Sequence, residues 1–110
     1  MKKRILIVTF ILFLLTITLL AAFRRYYAVK DVYAGSSYEE GLRHEYGQGV
    51  PRDFKQAYMW YTIAVSYGNT AGTARKERLM HLMTPEDISA SQKAADEWVR
   101  THGSIGKMLD

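Results

Sequence analysis

The sequence lacks several features, and each absence narrows what the protein can do. Its 110 residues contain no cysteine and only two prolines. Without cysteine the chain cannot form a disulfide, use a thiol nucleophile or bind a metal through thiolates. Pro51 and Pro85 lie outside the periodic apolar segments, at predicted helix entrances. Because no stretch alternates apolar and polar residues as a half-buried strand does, we expect an all-α fold.

Charge is absent from residues 5–23, which read ILIVTFILFLLTITLLAAF. A helix of this length spans about 28 Å, close to the thickness of a bilayer's hydrocarbon core. Lys2, Lys3 and Arg4 precede the run, and Arg24, Arg25 and Lys30 follow it. We therefore predict that residues 1–30 are an N-terminal signal anchor or transmembrane helix with basic flanks, in contact with the lipid bilayer through residues 5–23.

A cleaved signal peptide is the alternative interpretation of this segment. Signal peptides have an apolar region of about 7–15 residues, followed by a small-x-small site. Cleavage after Ala21 or Ala22 would place Leu19 or Leu20 at the −3 position, where a small residue is usual. Residues 32–34 match the small-x-small pattern better, but they lie well beyond the apolar run and after two arginines. The uncleaved anchor is favoured, and release of an exported protein by cleavage remains open.

The distribution of basic residues bears on location and partners. Three Lys or Arg lie on each side of the apolar run, so the positive-inside rule gives a near tie. The MKKR start favours a cytoplasmic N-terminus, which would place a single-pass protein in the inner or plasma membrane with its helical domain on the periplasmic or extracytoplasmic side. Residues 31–110 hold 9 basic and 11 acidic residues, a formal charge of −2. Since nucleic-acid binding depends on neutralising phosphates, we expect no nucleic-acid partner.

Four helices are predicted after a linker at residues 31–35. The first covers about residues 36–46 and ends at Gly47 and Gly49, because glycine readily adopts the positive φ that ends helices. The second begins at Asp53, predicted to cap it and to form a capping box with Gln56, and ends at Gly68.

The third helix is predicted over about residues 70–83. The fourth has Thr84 as its N-cap and Pro85 at its first position, and it ends near residue 102. A flexible C-terminal tail is expected at residues 103–110.

Aromatic residues crowd the second helix and cover most of its circumference. A helix that is apolar on most sides is usually buried between neighbours. We therefore interpret these aromatics as core residues, with a ligand-binding site as the alternative. They are Phe54, Tyr58, Trp60, Tyr61 and Tyr67.

Ten residues match the types and spacing of a known repeat signature: Gly41, Gly47, Gly49, Val50, Asp53, Ala57, Trp60, Tyr61, Ala64 and Gly68. This pattern resembles the Sel-one-like repeat, a relative of the tetratricopeptide repeat in which pairs of antiparallel helices build an α-solenoid. The residues that follow are similar to the helical hairpin that closes such arrays. Glu40 and His44 depart from the family, which usually has an apolar and an aromatic residue there. The resemblance implies one full repeat and a closing hairpin over residues 36–102, and a protein-protein interaction adaptor.

No pattern of catalytic or ligand-binding residues stands out in the sequence. His44, His81 and His102 are far apart, and His44-Glu45 is not followed by the second histidine of a zinc helix. Adjacent carboxylates such as Glu39 and Glu40 point to different faces of a helix. We therefore expect no enzymatic activity, no metal and no cofactor.

The size of the domain suggests where a partner would bind. Solenoid units cover one another, and about three are usually needed for stability. A single repeat leaves the outer face of its first helix uncovered, so we expect a protein or peptide partner near that helix. The candidate contacts are Tyr38, Leu42, Arg43, Tyr46 and, on the second helix, Met59. A self-associating structural envelope protein, and hence a homo-oligomer, is the alternative.

Overall fold

A computed structural model describes residues 1–102, which form four α-helices: α1 (Lys2–Tyr46), α2 (Phe54–Ser66), α3 (Ala71–Met80) and α4 (Pro85–His102). Within this range there is no β-strand, and the predicted all-α class is confirmed. The tail predicted at residues 103–110 lies outside the described residues.

α1 is a single uninterrupted helix of 45 residues, and it accounts for the 71 Å long axis of the molecule. Residues 31–35, expected to form a linker, are helical, because nothing in them breaks a helix except Gly35. Glycine in a helix costs about 1 kcal/mol, and packing offsets this cost since Ala34 and Ser37 are buried on either side of it. The apolar segment and the first helix predicted after it are therefore one element.

The N-terminal part of α1 is the one helix of the described residues that is long and apolar enough to cross a membrane. An uncleaved anchor and an N-terminal signal sequence both have this length and composition. None of the apolar window of α1 is buried in the folded chain. The hydroxyls of Thr9, Thr16 and Thr18 donate to carbonyls three or four residues earlier. They therefore need no water, which suits a lipid environment.

α2 is the central helix of the domain and packs against α1, α3 and α4. It runs antiparallel to α1, since the Asp53 N–H donates to the His44 carbonyl at one end and the Asn69 side chain donates to the Ala34 carbonyl at the other. Tyr58 and Tyr61 are buried, as expected of core aromatics. Three other aromatics of this segment are only half-buried: Phe54, Trp60 and Tyr67.

The turn between α1 and α2 follows the local signals of the sequence. Gly47 and Gly49 have φ values of 67° and 76°, and the Asp53 carboxylate accepts from the N–H groups of Lys55 and Gln56. The predicted capping box is wrong in its second half: the Asp53 N–H donates to the His44 carbonyl at 2.9 Å, so it is not available to the Gln56 side chain. The tight turn places the His44 carbonyl, near the end of α1, within hydrogen-bond distance of the Asp53 N–H, so this N–H is already satisfied.

α3 is shorter than predicted and ends at Met80 instead of continuing to residue 83. Residues 81–83 form a turn in which the Leu82 N–H donates to the Leu79 carbonyl. The chain reverses there so that α4 can pack against α2. Thr84 caps α4 as predicted, because its hydroxyl accepts from the Asp87 N–H.

The helices that pack together after the apolar segment form a unit with two ends. We call α2, α3, α4 and residues 30–46 of α1 the bundle. Its proximal end, nearer the apolar segment, contains Ala34, Gly68 and Asn69. Its distal end contains Tyr46, Phe54 and Leu82.

Candidate partner-binding cleft

Glu45 is the buried acidic residue of the described chain, with 3% of its surface exposed. Its Oε2 accepts from Arg75 at 3.2 Å and from Arg78 at 2.9 Å. Its Oε1 is buried and has no hydrogen-bond partner within residues 1–102. A buried carboxylate is tolerated only when it is paired. Glu45 therefore holds the two arginines of α3 against the end of α1.

Two tyrosines of α1 complete this polar cluster. The Tyr46 hydroxyl accepts from Arg75 at 2.6 Å and from Arg78 at 2.8 Å, and the Tyr38 hydroxyl accepts from Arg75 at 3.3 Å. These hydrogen bonds raise the pKa of the Arg75 guanidinium above its usual range, so the group stays charged at any working pH. The cluster is a hydrogen-bonded junction between α1 and α3 with a net positive charge.

A cleft of about 280 Å³ adjoins this junction at the distal end. We call it the distal cleft, and its lining residues come from α1, α2, α3 and the turns at residues 47–53 and 81–83: Glu45, Tyr46, Arg52, Phe54, Arg78, Leu79 and Leu82. Pockets for whole small molecules usually measure roughly 300–1,000 Å³. The distal cleft is therefore of a size for one or two side chains of a partner.

The distal cleft combines apolar surface with unbalanced positive charge. Leu82 is 60% exposed and Tyr46 is 51% exposed, whereas Leu79 is buried at the floor. The Arg52 guanidinium lies 4.4 Å above the Phe54 ring and makes no ion pair within the described chain. Arg52 and Arg78 thus line the cleft with a single carboxylate, that of Glu45, although residues 31–110 carry a formal charge of −2. The cleft favours an anionic ligand with an apolar part.

The candidate contact residues lie in different places. Tyr46 lines the distal cleft, and Tyr38 supports it through Arg75. Tyr38 and Leu42 also pack against the core of their own domain. Arg43 pairs with Glu40 at 2.6 Å and donates to the Gln48 carbonyl. Met59 is half-buried on α2 and does not line the cleft.

Sequence reasoning did not identify the two arginines that line the cleft, Arg52 and Arg78, or Arg75 beside them. Arg75 and Arg78 are three residues apart on one helix, so they share a face. Glu45 lies on the same helix face as Tyr38 and Leu42, which pack toward the core. This position indicated that its carboxylate would be buried and would require a basic partner. Nothing local relates Arg52 to the other two, because it lies in a turn.

A second cluster, of aromatic rings, joins α1, α2 and α4 toward the proximal end. The Trp98 ring lies 5.5 Å from Trp60, 5.9 Å from Tyr33 and 4.7 Å from His102, and Tyr33 stacks on Tyr67 at 5.3 Å. Ring pairs at these separations stabilise packing beyond their buried area. This cluster attaches α4 to the bundle.

The described residues offer no arrangement suited to a metal ion. Within residues 1–102, no group of three or more His, Cys, Asp or Glu residues is close enough to hold one. His44 lies 4.0 Å from Glu40, and His102 stacks on Trp98.

Comparison of the chain with protein-family models, with curated proteins and with solved structures finds no match.

Proposed function

We propose that the protein is a single-pass, membrane-anchored adaptor that binds a protein or peptide partner in the distal cleft and performs no catalysis of its own. The observation that carries this proposal is the cleft itself. Exposed Leu82 and Tyr46 lie beside the guanidinium groups of Arg52 and Arg78. Aromatic residues and arginines are the types that contribute most to protein interfaces.

The chemistry of the cleft defines the partner. Its volume admits one bulky apolar side chain, and its arginines favour a carboxylate next to that side chain. Arg78 is already oriented by Glu45 and Tyr46, so little side-chain entropy is lost when a ligand binds. The partner is therefore a segment with an acidic residue adjacent to Leu, Ile, Met or Phe.

We also propose that α1 and α2 form one Sel-one-like repeat. The hairpin of α1 and α2, with glycines of positive φ in its turn, is the arrangement that a Sel-one-like repeat would have. α3 and α4 then correspond to the closing hairpin. A repeat without neighbours presents a surface that other units would otherwise cover, which supports a binding role.

Membrane insertion and the extracytoplasmic side of the bundle are also part of the proposal. Residues 5–23 would cross the bilayer, with residues 2–4 in the cytoplasm. A reporter joined after Asp110 and active only in the extracytoplasmic space is the expected result. Activity of the reporter only in the cytoplasm would reverse the orientation.

Site-specific crosslinking tests the adaptor function. A photoreactive phenylalanine analogue replaces Leu82 in the full-length, membrane-inserted protein, and a matched protein carries it at Ser89, an exposed position on α4. We expect a discrete adduct from position 82 only. Arg52→Glu should abolish this adduct, whereas Lys93→Glu, at an exposed lysine away from the cleft, should leave it intact.

The adduct also separates the proposed function from its competitors. Peptide mapping should place a segment with adjacent acidic and apolar residues in the adduct. An adduct between two copies of this chain would favour the self-associating structural protein instead. Identical adducts from positions 82 and 89, or an adduct unaffected by Arg52→Glu, would contradict binding in the cleft.

A further inference from the structure

The continuity of α1 fixes the position of the bundle relative to the apolar segment. Residues 2–46 contain no proline and form one helix. The proximal end of the bundle is attached to this helix, because the Asn69 amide donates to the Ala34 carbonyl at 3.3 Å and Ala34 is buried. The turn between α2 and α3 therefore cannot move away from α1 without loss of these contacts.

The helix also sets the height of this turn above the bilayer. The apolar run ends at Phe23, and the Lys30 side chain lies beside Gly68, with its Cε 3.9 Å from where a Cβ would be. The turn thus meets α1 between Lys30 and Ala34, whose carbonyl accepts from Asn69. These positions lie about 10 to 16 Å of helix rise above Phe23, whereas the headgroup layer is roughly 5–8 Å thick on each side of a bilayer. The edge of the turn beside Lys30 is the part nearest to the headgroups.

A tilt of the helix closes the remaining gap. Membrane helices tilt by about 20° on average, and packed helices lie roughly 8–10 Å apart. Such a tilt toward α2 lowers the turn by about 3 Å relative to α1. The Lys30 side chain and the edge of the turn beside it then reach the headgroup layer.

The surface of α1 at this level is basic, although residues 31–110 carry a formal charge of −2. Arg24, Arg25 and Lys30 make no ion pair within the described chain, and the one acidic residue of α1 at this level is Asp31. Anionic phospholipids attract basic residues that lie next to the membrane. Tyr26 and Tyr27 are half exposed, and amphipathic rings of this kind favour the headgroup level.

We propose that the proximal end of the bundle, formed by Lys30 and the turn at residues 67–70, rests on the headgroups of anionic phospholipids. This inference depends on the proposed membrane anchor. It adds a second, lipid-binding surface at the opposite end of the bundle from the distal cleft. α1 then acts as a rigid spacer that holds Tyr46 about 35 Å beyond the end of the apolar run.

The natural absence of cysteine allows a direct test. Three single-cysteine versions of the full chain carry a fluorophore at Thr16→Cys, Thr70→Cys or Gln48→Cys. Thr70 and Gln48 are exposed turn positions at the proximal and distal ends, and the Thr70 side chain makes no capping hydrogen bond. Each protein is placed in phosphatidylglycerol-containing vesicles with nitroxide quenchers on either the acyl chains or the headgroups.

The expected pattern differs at each position. The acyl-chain quencher should act on residue 16, and the headgroup quencher should act on residue 70 at least threefold more strongly than on residue 48. Lys30→Gln, or vesicles of phosphatidylcholine alone, should reduce quenching at residue 70 at least twofold. Lys93→Gln, an exposed lysine on α4, should not change it.

The outcomes separate this inference from the proposed anchor. Quenching at residue 16 together with equal headgroup quenching at residues 70 and 48 would overturn the resting surface and leave the anchor intact. The resting surface is likewise overturned if neither lipid charge nor Lys30→Gln changes the quenching at residue 70. Failure of the acyl-chain quencher at residue 16 would overturn the membrane anchor, and this inference with it.

Discussion

The Tyr61 ring lies directly against Gly41, so closely that a Cβ added at residue 41 would overlap carbons of the ring. Tyr61 is completely buried, so a displacement of its ring would disturb its packed neighbours. On the other side of α2, a Cβ added at Gly72 would come within 2.9 Å of the Tyr61 carbonyl oxygen. Two glycines on different helices therefore allow α1 and α3 to approach the same residue of α2.

This contact predicts a large difference between two glycines of α1. Gly41→Ala should destabilise the bundle by about 1–3 kcal/mol, because overpacking outweighs the gain in helix propensity. Gly35 has nothing within 4 Å of its would-be Cβ, so Gly35→Ala should be neutral or stabilising by up to about 1 kcal/mol. Thermal unfolding of the full chain in detergent, followed by tryptophan fluorescence, measures both, since Trp60 and Trp98 lie in the bundle. Equal stability of the two variants would contradict the close packing of Tyr61 on Gly41.

The buried carboxylate predicts a second pair of effects. Glu45→Ala leaves Arg75 and Arg78 without their anion. It should cost about 1–3 kcal/mol, less than for a fully buried pair because both arginines are partly exposed. Glu97→Ala removes an exposed pair with Arg100 and should cost less than about 0.5 kcal/mol. Chemical denaturation of the full chain compares them. A Glu45 variant as stable as the Glu97 variant would show that the cluster contributes nothing to α1–α3 packing.

The Tyr61 hydroxyl predicts an effect on stability at neutral pH. It is buried without a hydrogen-bond partner in the described chain, a state that costs free energy. Tyr61→Phe should therefore be as stable as the natural protein at pH 7, or more stable by up to about 1 kcal/mol. Denaturant unfolding at pH 7 measures this difference, and a loss of more than about 1 kcal/mol would mean that the hydroxyl has a partner.

The same residue predicts a change at alkaline pH. Burial, with a further contribution from Glu45, raises the pKa of the Tyr61 phenol above its usual range. The folded state therefore keeps a proton that the unfolded state loses, so stability is full below about pH 10 and falls as the pH rises above it. Tyr61→Phe should make this fall shallower by about 1.4 kcal/mol per pH unit.

Other groups that titrate in this range act on both proteins. Burial also raises the pKa of Tyr58 and of Tyr67, and it lowers the pKa of Lys76, which has the opposite effect on the pH dependence. The difference between the natural protein and the variant therefore isolates Tyr61. Parallel stability curves from pH 9 to pH 12 would show that Tyr61 does not titrate with a raised pKa.

The cap of α2 predicts a smaller, local effect. The Asp53 carboxylate accepts from two backbone N–H groups, so Asp53→Ala should cost about 1 kcal/mol. Gln56→Ala should be nearly neutral, because the Asp53 N–H is bound to the His44 carbonyl instead of the glutamine side chain. Thermal unfolding measures both variants. A Gln56→Ala loss equal to that of Asp53→Ala would restore the full capping box.

Local features of the fold were predictable from the sequence because their causes are local. Asp53 and Thr84 cap helices through their own side chains, and Gly47 and Gly49 adopt a backbone conformation that other residues rarely do. The distal cleft was predictable only in part. Tyr46 was identified, but its arginine partners lie 29 and 32 residues away, and no sequence periodicity relates such distant positions.

By itself, the sequence determined the all-α class, the apolar segment at residues 5–23 and the turns that separate the helices after residue 46. Tertiary structure decided whether residues 31–35 bend or continue, because Gly35 permits either and only the burial of Ala34 and Ser37 against the bundle favours a straight helix. Tertiary packing also determined that Glu45 pairs with Arg75 and Arg78. A buried charge is tolerated only with an oppositely charged partner, and the packing of α3 on α1 supplies these two. Propensity acts over a few residues, whereas burial acts between elements that meet only in the folded chain.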